Sequence, residues 1–390
     1  MRVLTYISTI LFLFTLSWNG NFIVSDVIRP YVITTTLFIA ISFINIVITG
    51  KICNKLTRGE DILLLYFIVA LLVLSIFAPD SNFNYITSYV FVFVFYASIL
   101  TNRYCIESQY GLDILRINAY VAVGSIFLLL LIYFLKVYYL IDLSEILPRL
   151  KDRQQAIYMG MPRNYGLSTE PGALSFYVET ILLYGAYYFI THISRSAMLS
   201  WLVGIFFVVL LVTTFSAGAF ASISLSIMLY GLLTIRQRSI GINTLFFITF
   251  LLFILVFFYA TNFTGDIIEK VTLGETHSSS GRLEKWMLAL NILPNSILTG
   301  VGLGQTTVIY EGSFLSYFVT LIVETGIIPT LIMLVYFLLS YVRILSSRCD
   351  KFILIPLGAG MIHLSVISTI YYPYVFVLIA LARFSSIRKL

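Results

Sequence analysis

Most of the side chains able to do chemistry fall in two stretches. The first reads DLSEILPRLKDRQQAIYMGMPRNYGLSTEPGALSFYVET and sets Arg149, Lys151, Arg153 and Arg163 among Asp142, Glu145, Asp152 and Glu170. Glu170 stands before Pro171 at a helix start. Proline suits the first helical turn and an acid there complements the helix dipole, a term of only about 0.3–1 kcal/mol. Glu170 therefore reads either as a helix-start residue or as a carboxylate fixed at a membrane surface beside Arg163. Arg149, Lys151 and Arg153 also suit interfacial positions that meet lipid headgroups.

The second stretch reads THSSSGRLEKWMLALNILPNSILTGVGLGQTTVIYEGSF. Leu283, Trp286, Met287 and Leu290 recur at helical spacing, with Arg282, Glu284, Lys285 and Asn291 on the other face. The spacing predicts a short amphipathic helix lying on the bilayer and stopped by Pro294. Arg282 stands out because a guanidinium grips phosphate in a bidentate fork. Gly300, Gly302 and Gly304 permit a tight backbone and close approach of a ligand. They form no dinucleotide or Walker fingerprint, since no strand precedes them.

The elements that position these stretches are apolar helices. The chain has 390 residues, 59% hydrophobic and 11% charged, with a mean hydropathy of +0.98. Soluble domains carry about a quarter charged residues. In lipid every backbone polar group needs an internal partner, so spanning segments are helices or barrel strands. The apolar runs here are about 17–25 residues long and apolar all round, the signature of helices. The expected fold is all-α: one polytopic membrane domain over 1–390, with about twelve spans at 3–18, 31–50, 62–78, 84–101, 117–141, 172–191, 197–214, 217–235, 243–261, 313–342, 352–369 and 371–386. The first run lacks a small-x-small cleavage site and reads as a retained helix. The tenth run is too long for a simple crossing, and Gly326 and Pro329 are expected to kink it.

Orientation follows from the basic residues of short loops. One side carries fifteen Lys and Arg against five acids, the other eight against eleven. The basic side is expected to be cytoplasmic, with both termini there. Two long loops, 141–171 and 262–312, then share the outer face, and loops held by a rigid scaffold are where chemistry concentrates. Cys53, Cys105 and Cys349 fit neither a disulfide framework nor a zinc pattern, and no His/Cys/carboxylate cluster has metal-site spacing. The net charge of +6 is scattered, without a nucleic-acid motif. Lys136 sits near a span end and can snorkel. Glu179, about 13 Å along the helix from Glu170, and Glu324 are intramembrane carboxylates, read either as functional or as structural hydrogen-bonding groups. His192 reads as a cytoplasmic loop residue, His363 as a packed span residue and His277 as an outer-face candidate.

The stretch SGRLEKWMLALNILPNSILTGVGLG, followed by EGSFLSYFVTLIVETGIIPTLI, resembles the shared region of bacterial O-antigen polymerases and ligases. It has their Gly-Arg-x-x-x-Trp segment, then a Gly-x-Gly stretch, then a helix ending in Glu-x-Gly-Ile. Upstream, RNYGLSTEPG resembles the Arg-x-x-Gly…Glu-Pro element of the polymerases. The resemblance covers roughly residues 160–335 in pattern. It implies a Wzy-type polymerase, a metal-independent glycosyltransferase without a cofactor. Such an enzyme moves a growing glycan from undecaprenyl pyrophosphate to a lipid-linked repeat unit at the periplasmic face. A chain-length regulator is implied as a partner, alongside membrane lipid and no nucleic acid. The leaving pyrophosphate develops negative charge that needs fixed cations, which points to Arg163 and Arg282 with Arg153 behind them, and to Gly300 and Gly302 in the binding role. A base for the acceptor hydroxyl points to Glu170 and Glu311. Ligases carry a histidine where Glu311 stands here, and its absence favours the polymerase while leaving the base open. The competing readings are the ligase, a flippase or transporter of lipid-linked sugar, and a scaffold without chemistry. A scaffold has no need of Arg163, Glu170 and Arg282 on one face.

Overall fold

The computed structural model describes residues 1–20, 29–50, 52, 57–78, 81–102, 113–143, 157–158, 161–235, 280–306, 314, 316–347, 349–367 and 372–388. Among these, the helices in chain order are α1 (Arg2–Thr15), α2 (Pro30–Thr49), α3 (Ile62–Phe77), α4 (Phe83–Thr101), α5 (Ile114–Tyr139), α6 (Pro171–Ile193), α7 (Ala197–Thr213), α8 (Ala217–Ile235), α9 (Ser280–Ser296), α10 (Tyr317–Thr325), α11 (Ile327–Ser346), α12 (Leu354–His363) and α13 (Tyr374–Arg388). A two-residue ladder, Ile157–Tyr158 against Met161–Pro162, is the sheet among the described residues. The protein is an all-α polytopic membrane protein. Among the described residues, six segments are long and apolar enough to cross a bilayer: α2, Gly59–Phe77, α4, α5, α6 and α11.

Helix ends follow local chemistry. Pro30 opens α2 and Gly50 closes it in the left-handed conformation, φ 61°, as proline and glycine do at these positions. Asn82, Asp113 and Ser196 cap α4, α5 and α7 by accepting backbone N–H groups, which lack partners in a first turn. The outward faces of α2, α3 and α11 carry exposed Phe43, Leu65, Ile76 and Leu338. Such a surface suits acyl chains rather than water. By contrast α6 is enclosed, with 83% of its apolar window buried against 28% for α2. It is the central column, and it contains two π-helical segments, Val178–Leu182 and Phe189–Ile193.

The bundle has two chemically distinct ends. At the basic end, Arg383 of α13 makes a fork on Asp61 (Nη1–Oδ2 2.7 Å, Nη2–Oδ1 2.9 Å) and reaches Glu60 Oε1 at 3.2 Å, while Arg343 of α11 also pairs with Glu60. His192 ends α6 there, 3.5 Å from Asp350, rather than lying in a loop. The opposite end, the loop end, gathers the α3–α4 turn, residues 163–170, the α7–α8 turn and residues 297–306. The Phe38 and Phe95 rings lie 6.0 Å apart and, further along both helices, Asn102 Nδ2 donates to Ser42 Oγ (2.8 Å), so α2 and α4 run parallel and both start at the loop end.

Three expectations from sequence change. The run 313–342 is a helical hairpin, not one kinked span. The chain breaks at Gly326 (φ 78°, ψ −175°), and the Phe318 and Phe337 rings lie 6.4 Å apart where a continuous helix would separate them by roughly 28 Å. The helix of the second stretch runs through Pro294 to Ser296; a proline so close to the C-terminus interrupts few helical bonds. Its inward face is Ala289, packed with Phe314 and Val323, while Met287 and Leu290 are exposed. Lys136, expected to snorkel, is bound to Asp142 (2.6 Å) and to the Tyr165 hydroxyl. The expected span 243–261 lies outside the described residues.

Candidate functional site at the loop end

Residues 163–170 form the centre of the loop end, and several parts of the fold hold them. Arg163 Nε donates to the Thr214 carbonyl at 3.2 Å. Asn164 is buried and bonds Thr213 through both its backbone N–H (2.8 Å) and its Nδ2 (3.2 Å). Its Oδ1 accepts from Gly166 N–H at 2.9 Å, an Asx turn of the kind that stabilises tight backbone. Ser168 Oγ donates to the Ser17 carbonyl (2.8 Å), Thr169 N–H to Asn19 Oδ1 (2.8 Å) and Gly20 N–H to the Leu167 carbonyl (3.1 Å). Thr169 Oγ1 lies 3.2 Å from the Tyr372 hydroxyl. The segment is therefore pinned at once to the end of α1, to the α7–α8 turn and to the approach to α13. Glu170 is the N-cap residue of α6 with Pro171 following, and its side chain makes no capping bond. It is half-buried at the protein surface, so its carboxylate is not consumed by the helix start.

Beneath this segment, within α6, lies a polar group that the sequence showed only as separate residues. Glu179 Oε1 is 2.6 Å from His363 Nδ1, and Ser222 Oγ donates to Glu179 Oε2 at 2.6 Å. Glu179 and Ser222 come from α6 and α8 and His363 from the end of α12, and all three are buried. Glu179 sits in the first π segment, where the wider turn shifts the side chains of the helix and where functional groups often occur. The His363 ring stacks on Phe176 with centroids 5.0 Å apart.

The glycines of the second stretch pack against the α10–α11 hairpin. Val301 N–H donates to the Val323 carbonyl (2.8 Å) and Gly302 N–H to the Glu324 carbonyl (3.0 Å). The Thr306 hydroxyl bonds the Glu324 carboxylate inside the fold. Leu303 meets the α3–α4 turn: its carbonyl accepts from Asn82 N–H (2.8 Å) and its N–H donates to Ser81 Oγ (3.3 Å). Gly300, Gly302 and Gly304 have φ of 72°, 110° and 78°, a region that L side chains rarely adopt. Arg282 lies in the first turn of α9, and Trp286 Nε1 ties that helix to the Phe314 carbonyl at 3.0 Å.

Of the residues singled out from sequence, Arg163 and Glu170 share one pinned segment, and Gly300 and Gly302 lie in the loop after α9 at the same end of the bundle. Arg153, Glu311, His277, Arg149 and Lys151 lie outside the described residues. Sequence reasoning missed the meeting of Glu179 with His363 and the anchoring parts of Asn19 and Tyr372. The available signal was a polar residue within an apolar run, which marks each member without marking its partner.

Residues 202–328, about a third of the 390-residue chain, match the family described as O-antigen ligase. That stretch begins in α7 and ends just past Gly326, so it takes in Ser222, Arg282, the three glycines and Glu324. It is similar to that family and supports a membrane enzyme of O-antigen or related glycan assembly, with polymerase and ligase equally compatible. No curated protein matches the chain.

Proposed function

We propose that the protein is a polymerase of surface polysaccharide. It transfers a growing glycan from undecaprenyl pyrophosphate to a lipid-linked repeat unit at the periplasmic face of the inner membrane, with both termini cytoplasmic. The observation that carries this reading is the segment 163–170. It presents an arginine and a carboxylate on one rigidly anchored stretch, at the bundle end that also holds the glycine loop and α9 of the O-antigen ligase-like region. In this reading Arg163 and Arg282, with Arg153, stabilise the charge that develops on the departing pyrophosphate. Glu170 takes the proton of the acceptor hydroxyl as it attacks the anomeric carbon, with Glu311 the alternative base. Gly300 and Gly302 allow the close packing that fixes their loop, whose backbone takes the binding role in this reading. The polymerase is preferred to the ligase because Glu311 stands where ligases carry a histidine. A chain-length regulator is a proposed partner.

Transport of lipid-linked sugar is the second reading. It draws on the ends of α10, α12 and α13, which meet inside the bundle where Tyr317 N–H donates to the Leu364 carbonyl at 2.9 Å. Broken helices and midplane charges line transporter sites.

The test is a gel of surface polysaccharide from a strain lacking the gene, with and without the gene restored. Collapse of long chains to a single repeat unit on the lipid core supports the polymerase. A core that carries no repeat unit removes it. In that case, long lipid-linked polymer accumulating in the periplasm supports the ligase, and its absence supports transport.

A further inference from the structure

The Glu179–His363 contact is an expensive way to hold helices together. An ionisable pair in the middle of a bilayer loses its hydration, and apolar side chains of similar volume hold helices without that cost. What a carboxylate adds is a charged neighbour 2.6 Å from the imidazole Nδ1, which restrains where the ring lies. Here that ring position has a reader. The His363 ring lies nearly parallel to Phe176, at 19°. Phe176 in turn meets Tyr374 edge-on at 5.1 Å and Tyr372 at 6.5 Å. Tyr372 reaches Thr169, whose N–H is held by Asn19 and whose next residue is Glu170. A contiguous column of side chains thus runs from Ser222 and Glu179 up to the pinned segment.

We propose that Glu179 and His363 are positioning residues. They set the Phe176–Tyr372 column, and the column sets the Thr169–Glu170 backbone from which the Glu170 carboxylate works. The π segment at Val178–Leu182 belongs to this device, because Glu179 reaches both Ser222 and His363 from within it. Removing that restraint on the imidazole leaves the substrate-contacting groups in place and misaligns one of them, a loss felt in turnover rather than in binding.

The proposal rests on Glu170 acting in glycan transfer, so its test carries one readout that does not depend on that reading. The full-length protein is placed in lipid nanodiscs with lipid-linked repeat unit as substrate, and Glu179→Gln, His363→Gln, their double variant and Tyr372→Phe are compared. Tyr372→Phe leaves the buried pair untouched and removes only the last link, so it remains informative if a buried variant fails to fold. Each single variant is expected to lower kcat about tenfold or more at unchanged KM, and the double variant to be no worse than either single, as for residues that act as one unit. Amide hydrogen exchange over residues 167–170 is expected to speed up in each. An unchanged kcat in Tyr372→Phe overturns the proposal, as does an additive loss in the double variant. Unchanged exchange at 167–170 in both His363→Gln and Tyr372→Phe overturns it too. If the wild-type protein makes no polymer, the polymerase reading falls, and the exchange measurement still decides whether the pair and the segment are coupled.

Discussion

Gly300 and Glu324 meet backbone to backbone, so closely that a Cβ on Gly300 would overlap the Glu324 carbonyl. The contact continues on both sides, with Gly302 N–H on the Glu324 carbonyl and Ile327 N–H on the Ile297 carbonyl at 2.8 Å. Gly326 faces Leu298 with the same lack of space. The turn of the α10–α11 hairpin is thereby fastened to the loop after α9. Two stretches that the sequence presents as a glycine-rich loop and a membrane helix are one structural unit.

Gly300→Ala is expected to destabilise the protein by at least about 2 kcal/mol, because the substitution meets both a backbone clash and a φ of 72°. Gly124 in α5 has no atom within 4 Å of its Cβ position, and Gly124→Ala is expected to be neutral or to stabilise by up to about 1 kcal/mol. Thermal unfolding of the two purified variants in detergent checks the contrast. Equal midpoints would show that the loop yields.

Arg383 is buried with Glu60 and close to Asp61. Arg383→Ala strips Asp61 of its fork and leaves Glu60 with Arg343 alone, and is expected to cost about 3–5 kcal/mol. Arg383→Lys should recover only part, since an ammonium cannot make the fork. The Arg343 side chain is 55% exposed, and Arg343→Ala is expected to cost about 1 kcal/mol or less. Expression level and unfolding midpoint of the three variants should rank in that order, and similar values for Arg383→Ala and Arg343→Ala would contradict it.

Glu170→Gln keeps the shape of the N-cap residue, whose side chain makes no capping bond, and removes the carboxylate proposed as the base. Polymerisation is expected to fall about a hundredfold or more without loss of protein from the membrane. Arg163→Lys keeps a charge and surrenders the fork, and a rate loss of about tenfold is expected. Chain-length distributions on gels, together with turnover of lipid-linked repeat unit, measure both. A wild-type distribution in Glu170→Gln would remove Glu170 as the base.

Asn19→Ala takes away the acceptor for Thr169 N–H, held at 2.8 Å. An orphaned buried amide costs about 1–3 kcal/mol, and the loss is expected locally, as faster hydrogen exchange at Thr169 with Ser168 still held through its bond to Ser17. Exchange that speeds equally along the whole bundle would instead mean that Asn19 supports the fold at large.

The sequence made the helices legible because a bilayer leaves a spanning segment no choice. Its backbone groups must be satisfied within the segment itself, so apolar length and local caps place α2, α3, α4, α5 and α6 within a few residues of their expected bounds. Gly326 was legible as a break for the same local reason. Whether the break is a kink or a reversal was not, because that depends on the loop 297–304 packing against the Glu324 backbone, a contact between distant residues.

The same division runs through the site. Arg163, Glu170, Arg282 and the spaced glycines are singled out by type and by their place in the two polar stretches. The partners of Glu179 and Glu324 did not. An apolar helix bears little pattern to say which of its faces meets which neighbour, since lipid and protein interior are alike to a leucine. Only packing decided that Glu179 would find His363 and Ser222, that Glu324 would find Thr306, and that Thr169 would be held by Asn19 and Tyr372. Secondary structure in a membrane is a local consequence of backbone hydrogen bonding, while the pairing of rare polar side chains is a consequence of which helices come to lie side by side.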